Sequence, residues 1–510
     1  MHIKFFFFLL LNCFTSLLYA QDNFFPQLPD GLGLSNQLEY SYDYELKREI
    51  FENWFNLDYR YNIFSAGIRF DIFQPNDPNP AISRGKVIYA DIAFKYIEAE
   101  IGDVEEGMKV TAGNFYSLFG RGLILKSYEN RNIRIDNNLL GVKIEGYYAG
   151  LKLIALTGMA ENFYAERKDI LHAVDLEYKI VNDLKISGSF ASNDPEEDVA
   201  RTMIGSIRIQ PSIWNFDFYG EYGLKRNNDV KKEKFKNAAN NIGEAYYSAA
   251  NFYYGALSLV GEYKYYDNFI FGSYDGTIIY NNPPAIRKEY TYALLNRHPS
   301  PLNQNNEKGF QVEANYSFAS ETFLTVSYGE TKTLGSDSYY QKVLGVNQPV
   351  RLQLKESFIQ LNHTWNENIK TIAAFGYSEE RDANTKNITP ILENYFYIDE
   401  INTIKLIIEH QHTTDKTTTE KYYTDVATLE YLRSPLLSIS VVSEMQTKEP
   451  DPGKTIRRFW NFIQFGYTLG EHTNLILLIG TRQAGNICIG GVCRYEPEFS
   501  GIEIKMFTRF

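Results

Sequence analysis

Cysteine is scarce, histidine is hardly commoner, and no long apolar run follows the first twenty residues. The 510 residues hold three Cys and seven His. So few soft ligands exclude a thiolate-rich metalloprotein, and no HExxH, GxSxG or phosphate-cradling glycine loop occurs. After Tyr19 no stretch approaches the roughly 20 apolar residues that a membrane-spanning helix needs, which excludes a helical membrane protein. Basic charge is short as well: 51 Lys and Arg stand against 63 Asp and Glu, a net charge of −12. An acidic chain does not favour nucleic acid, whose binding rests on cations laid against phosphate. The chain thus reads as a non-enzyme with no cofactor and no metal site.

Aromatic side chains are in excess. There are 39 Tyr and 35 Phe, yet 22% of residues are charged and mean hydropathy is only −0.34. So much apolar surface excludes disorder. Its dilution by polar residues follows a period of two. Leu38, Tyr40, Tyr42, Tyr44 and Leu46 alternate with Glu39, Ser41, Asp43 and Glu45. Val174, Leu176, Tyr178 and Ile180 alternate with Asp175, Glu177 and Lys179, and Phe310, Val312, Ala314, Tyr316 and Phe318 with Gln311, Glu313, Asn315 and Ser317. The pattern recurs from residue 36 to 510 and describes a sheet with one apolar face and one polar face.

Connections alternate in length. Short breaks at 181–183, 210–212, 319–321, 366–368, 399–401, 433–435 and 469–472 separate longer polar stretches, the longest at 226–242 and 269–308. Transmembrane barrels have this parity, with tight turns at one end and long loops at the other. The expected fold is therefore all-β: a transmembrane antiparallel β-barrel with an even strand number, about 24 (20 to 26), in the outer membrane of a Gram-negative cell. No separate plug domain is expected, because only a short segment precedes the first strand. Residues 1–20 read as a signal peptide, with Lys4 before the apolar Phe5–Leu11 and Leu18-Tyr-Ala20 as the cleavage site. Residues 21–35 then form a short periplasmic segment and residues 36–510 the barrel. The last strand places Ile502, Ile504, Met506, Thr508 and Phe510 on one face. It resembles the C-terminal signature of bacterial outer-membrane barrels, which implies that Phe510 is an assembly signal read by the barrel-assembly machinery.

Without the signal segment, the cysteines are Cys488 and Cys493, in Cys-Ile-Gly-Gly-Val-Cys. The two glycines permit a tight loop, and export permits a disulfide between the pair. No His or Asp lies within ten residues to make a metal site of them. His410 and His412 share a strand face near the rim and read as a polar lip. Asn193-Asp-Pro-Glu-Glu-Asp198 reads as an exposed acidic loop. The Trp residues at 54, 214, 365 and 460 fall near strand ends, as interfacial aromatics do.

The segment Gly113-Asn-Phe-Tyr-Ser-Leu-Phe-Gly-Arg-Gly-Leu-Ile-Leu-Lys126, continuing Ser-Tyr-Glu-Asn-Arg-Asn-Ile-Arg-Ile-Asp136, breaks the alternation where a long loop is due. It carries Arg121, Lys126, Arg131 and Arg134 with Glu129 and Asp136. Either residues 117–137 fold into the lumen as a constriction with a cationic rim, or they form a solvated loop at the mouth. This block, with the CxGGVCRY-like segment at 488–495, resembles an outer-membrane barrel family of unknown function from Gram-negative bacteria. The resemblance implies a fold and a location but no substrate.

The expected role is porin-like passage or binding of small polar solutes through a loop-constricted lumen. Wall carboxylates such as Asp43, Asp58, Asp71, Asp91, Glu145, Asp175, Glu177, Asp217, Glu221 and Glu313 would favour cations or neutral solutes. The alternative is a scaffold barrel in an export or surface-assembly complex. Expected partners are membrane lipid, the assembly machinery and small polar solutes. Deleting Phe510, or changing Phe510→Lys, should lower outer-membrane levels and abolish heat-modifiable gel mobility. Normal levels and mobility would refute the terminal signal.

Overall fold

The computed structural model describes residues 29–73, 89–133, 135–162, 166–196, 201–228, 242–297, 301–381, 383–449, 458–489 and 492–510. Within them a single antiparallel sheet of 24 strands runs from Leu32–Asp43 to Phe499–Arg509. Those two strands pair with each other, from Ser35 opposite Arg509 to Asp43 opposite Gly501. The sheet therefore closes into a barrel with no free edge. Closure is what a bilayer demands, since its hydrocarbon offers no partner to an unpaired N–H or C=O.

Alternation sorts the side chains as the sequence implies. On Ile170–Val181, Leu176 and Tyr178 are exposed on the outside, while Asp175 is buried in the lumen. On Asn306–Ala319 the exposed outward set is Phe310, Val312, Tyr316 and Phe318. This continuous lipid-facing apolar belt, on a closed barrel of this size, makes the protein an outer-membrane barrel.

The first strand begins at Leu32, four residues before the expected 36, because its ladder continues down to Tyr59. The strand Arg201–Ile213 runs through the break expected at 210–212 and turns instead at Trp214, whose φ is 55°. Its pairing skips from Ile209–Gly220 to Ser212–Asp217. Pro211 has no N–H to give, and a strand end tolerates that loss. Trp214 and Trp365 are exposed at the short-turn end, as expected. Trp54 and Trp460 are not interfacial: they face the lumen and are buried. Strands Tyr89–Gly102, Gly107–Phe115 and Leu139–Tyr148 carry the barrel through residues 100–140, where alternation is weakest.

The main apolar core lies inside the lumen, toward the long-loop end, where residues of the segments 116–138 and 268–305 pack against the wall. At that end the hairpin Gly485–Ile489 and Val492–Glu496 places Cys488 directly opposite Cys493. Their side chains lie outside the described residues, as do residues 1–28, which hold the expected signal segment. The pairing register makes a concrete expectation: mass spectrometry of protein isolated without reductant should find the pair oxidised. Two free thiols would remove the staple.

Candidate functional site

A wall of 24 strands encloses more space than its own inward side chains fill. Among the described residues two insertions enter that space. The first, 116–138, turns on Gly120 and Gly122, with φ of 54° and 87°. A Cβ on Gly122 would lie 2.7 Å from the Asn282 carbonyl oxygen, and one on Gly120 would lie 2.7 Å from the Tyr219 hydroxyl. Only glycine fits either place. Beyond the turn, Leu123, Ile124 and Leu125 are fully buried with Phe119. The wall opposite is small and apolar, with Ala173, Ala191, Ile204 and Ala245 facing in. Each such side chain contributes roughly 1.5–3 kcal/mol over leaving it in water.

The second insertion, 268–305, is bonded to the first. Asn282 N donates to Gly122 O (3.1 Å), and Lys126 N donates to Tyr280 O (2.8 Å). Asn281, fully buried, donates to Leu123 O and Phe269 O and accepts from Phe271 N. The insertion then crosses the lumen along a series of wall carboxylates. Lys288 pairs with Glu313 (2.5 Å). Tyr292 donates to Glu393 (2.8 Å). Ala293 and Leu294, opening the helix Ala293–Asn296, donate their amides to Glu409 (3.1 and 2.9 Å). Arg297 closes the crossing on Glu444 (2.7 Å).

The six residues singled out in the first insertion do not form a single group. Arg121 lies over the rings of Tyr219 (4.7 Å) and Tyr247 (5.3 Å), 3.6 Å from Glu262. Asp136 takes Arg69 at 2.6 Å and Glu129 takes it at 3.1 Å; Arg69 also lies 2.9 Å from Asp71. Arg131 pairs with Glu129 (2.8 Å), donates to Gln37 and lies over the Trp54 ring. Lys126 stacks on Tyr128 (4.9 Å), and burial holds its ammonium below the usual lysine range. Arg134 lies outside the described residues. Glu129, Arg131 and Asp136 thus share one network on Arg69, while Arg121 and Lys126 stand apart from it. Together these contacts tie the insertion to opposite sides of the wall.

The wall is not freely acidic either. Asp175 is held by Arg208 (2.8 Å), Glu145 by Lys143 (3.2 Å) and Glu177 by Lys185 (3.3 Å). Glu221 accepts from Ser206 (2.6 Å) and Tyr219 (2.5 Å), and Asp58 accepts from Tyr96 (2.9 Å). The expected excess of lumen carboxylate is thus largely matched locally. Where the insertions leave room the lumen is wet: the inward side chains of Lys185 and Lys505 keep 43% and 40% of their exposure. Phe510 completes the seam, exchanging backbone hydrogen bonds with Leu34. His410 and His412 face outward, His410 against Asp425 at 2.6 Å. Among the described residues no cluster of three His, Cys, Asp or Glu could hold a metal.

The second insertion was not legible as a lumen element. Its signal was there: Phe269-Ile-Phe271, Ile278-Ile-Tyr280 and Leu294-Leu295 are too apolar for a solvated loop.

Comparison with solved structures agrees with the fold. An E. coli P pilus tip assembly intermediate, PapC-PapD-PapK-PapG, aligns at a TM-score of 0.53 and 9% identity, over 96% of this chain and 62% of that one. The P pilus usher (PapC) translocation pore aligns at 0.49 and 9% identity, over 94% and 99%. Pseudomonas aeruginosa OprD aligns at 0.35 and 13%, over 82% and 96%. No curated protein sequence matches. A family model described as a family of unknown function, DUF6029, matches residues 34–510.

Arg69 and Asp71 are almost fully buried while Glu129 and Asp136 keep 23% and 28% of their exposure, so Arg69→Ala should cost about 3 kcal/mol locally, mainly by orphaning the buried Asp71 charge. Limited proteolysis should then cut within 116–138 while the barrel keeps its heat-modifiable mobility. A loop as resistant as wild type would show that these ion pairs do not hold it.

Proposed function

Since the chain belongs to this family of unknown function, DUF6029, we propose its role from the lumen itself. It is a non-enzymatic outer-membrane barrel that binds and passes small polar solutes through a lumen narrowed by two inserted segments. One observation carries this reading: Arg121, at the tip of the first insertion, is set on Tyr219 and Tyr247 beside Glu262. Both tyrosines are buried, and they hold up an Arg121 guanidinium that stays partly exposed with the Glu262 carboxylate beside it. A partly exposed cation beside a carboxylate suits a polar solute that carries both an acceptor and a donor.

The local matching of wall charge alters the selectivity expected. A wall of free carboxylates would favour cations strongly, whereas paired charges present dipoles and favour neither sign. The proposed solute is therefore neutral or zwitterionic. A scaffold role in export or surface assembly is the second reading. The fully buried Phe119 and Leu123–Leu125 favour it, because a dry apolar core passes nothing.

Planar-bilayer recording separates the two. Wild type should give small, stable steps with weak ion preference, and deleting residues 119–124 should raise conductance severalfold. Silence in both proteins would overturn the channel in favour of the scaffold.

A further inference from the structure

We propose that the outer face of the barrel, on the strands from Asn306–Ala319 to Thr385–Tyr397, binds the phosphate of an anionic lipid in the leaflet at the long-loop end. The register builds the site. Glu330 stands opposite Lys355, Lys355 opposite Glu379, and Glu379 opposite Lys386, in one row across four strands. Lys308 stands opposite Lys332 one step further toward the long loops. Each of these positions shares outward parity with the lipid-facing Phe310, Ile359, Phe375 and Leu392 on its own or the next strand.

Depth follows from strand length. The exposed apolar strip on the first of these strands runs from Phe310 to Phe318. That is about nine residues, what a tilted strand needs to cross the hydrocarbon. Phe310 is opposite Glu330, so the charged row lies at the upper edge of the strip and Lys308 lies just beyond it. This is headgroup depth. Tyr328 and Tyr377 occupy the row beneath, where amphipathic rings sit in a bilayer interface.

Charge decides the ligand. Glu330 is paired with Lys332, and Glu379 with Lys416 at 2.6 Å. Among the described residues, Lys308, Lys355 and Lys386 have no carboxylate within 4.0 Å. Lys386 rests over the Tyr377 ring at 5.5 Å. Further out, Asp415 and Glu420 accept backbone amides of their own loop and its neighbour. The row thus keeps an excess of ammonium groups facing the headgroup layer. A lipid phosphate fits there, because its acyl chains would lie on the apolar strip directly below the row. A free phosphate would lack that second contact.

The full-length barrel in detergent, mixed separately with phosphatidylglycerol and with phosphatidylcholine of the same chains, tests this by native mass spectrometry of retained lipid. Wild type should retain phosphatidylglycerol at least about fivefold better, the effect of one lysine near a charged surface. The Lys308→Gln, Lys355→Gln, Lys386→Gln triple variant should lose that preference. If the triple variant does not fold, the wild-type salt series decides, since the preference should shrink as salt screens the row. Equal retention at low salt, a preference that survives the triple substitution, or one indifferent to salt would overturn the proposal. So would displacement of the lipid by millimolar inorganic phosphate.

Discussion

A bilayer cannot hydrogen-bond a strand edge, and the rest of this structure follows from that. The sheet must close, and it closes by pairing its first strand with its last along the length of both. Closing 24 strands fixes a circumference, and the circumference fixes a lumen wider than the wall side chains can fill. Something must occupy or line that space. Here the chain supplies it from two of its own long connections, without a separate domain among the described residues.

The two insertions solve different parts of the problem. The first is apolar where it meets Ala173, Ala191 and Ala245, and the wall has become small and apolar to receive it. The second is apolar where Phe269, Phe271 and Ile278 join that core, and beyond it meets Glu313, Glu393, Glu409 and Glu444 one after another. Carboxylates this enclosed are stable only when each has a donor, and the insertion brings those donors. The wall's acidity is thus a docking pattern for the chain's own loops as much as a lining for solutes. The same accounting holds outside: Glu330 and Glu379 are matched by lysines, and the lysines left over mark the headgroup layer.

Fold and location were legible because a strand's period of two is local. Leu176 and Tyr178 against Asp175 and Glu177 state which face is lipid without any knowledge of the partner strand. The parity of short and long connections then gave closure, orientation and the strand count. The site was less legible. Residues 117–137 stood out because they break alternation, but Arg121, Glu129, Arg131 and Asp136 looked like one cluster in sequence. In the fold Glu129, Arg131 and Asp136 do gather on Arg69, but Arg121 leaves them for Glu262, and neither wall partner is near them in sequence. Trp54 and Trp460 were misplaced because nearness to a strand end was weighed and inward parity was not. Local pattern reports the face a residue occupies; it does not report what stands across the lumen.

The central claim is that both insertions are fixed parts of the barrel interior. Amide hydrogen exchange of the protein in a lipid disc tests it most directly, because exchange reads the opening of individual backbone hydrogen bonds. Peptides covering 119–126 and 280–282, whose amides bond Phe119 to Leu125, Lys126 to Tyr280 and Asn282 to Gly122, should exchange as slowly as the wall strands. The exposed turn at 417–420, where Thr417, Thr418 and Glu420 amides bond only side chains of their own turn, should exchange far faster. If the insertion peptides exchange as fast as that turn, the lumen is not filled as described here.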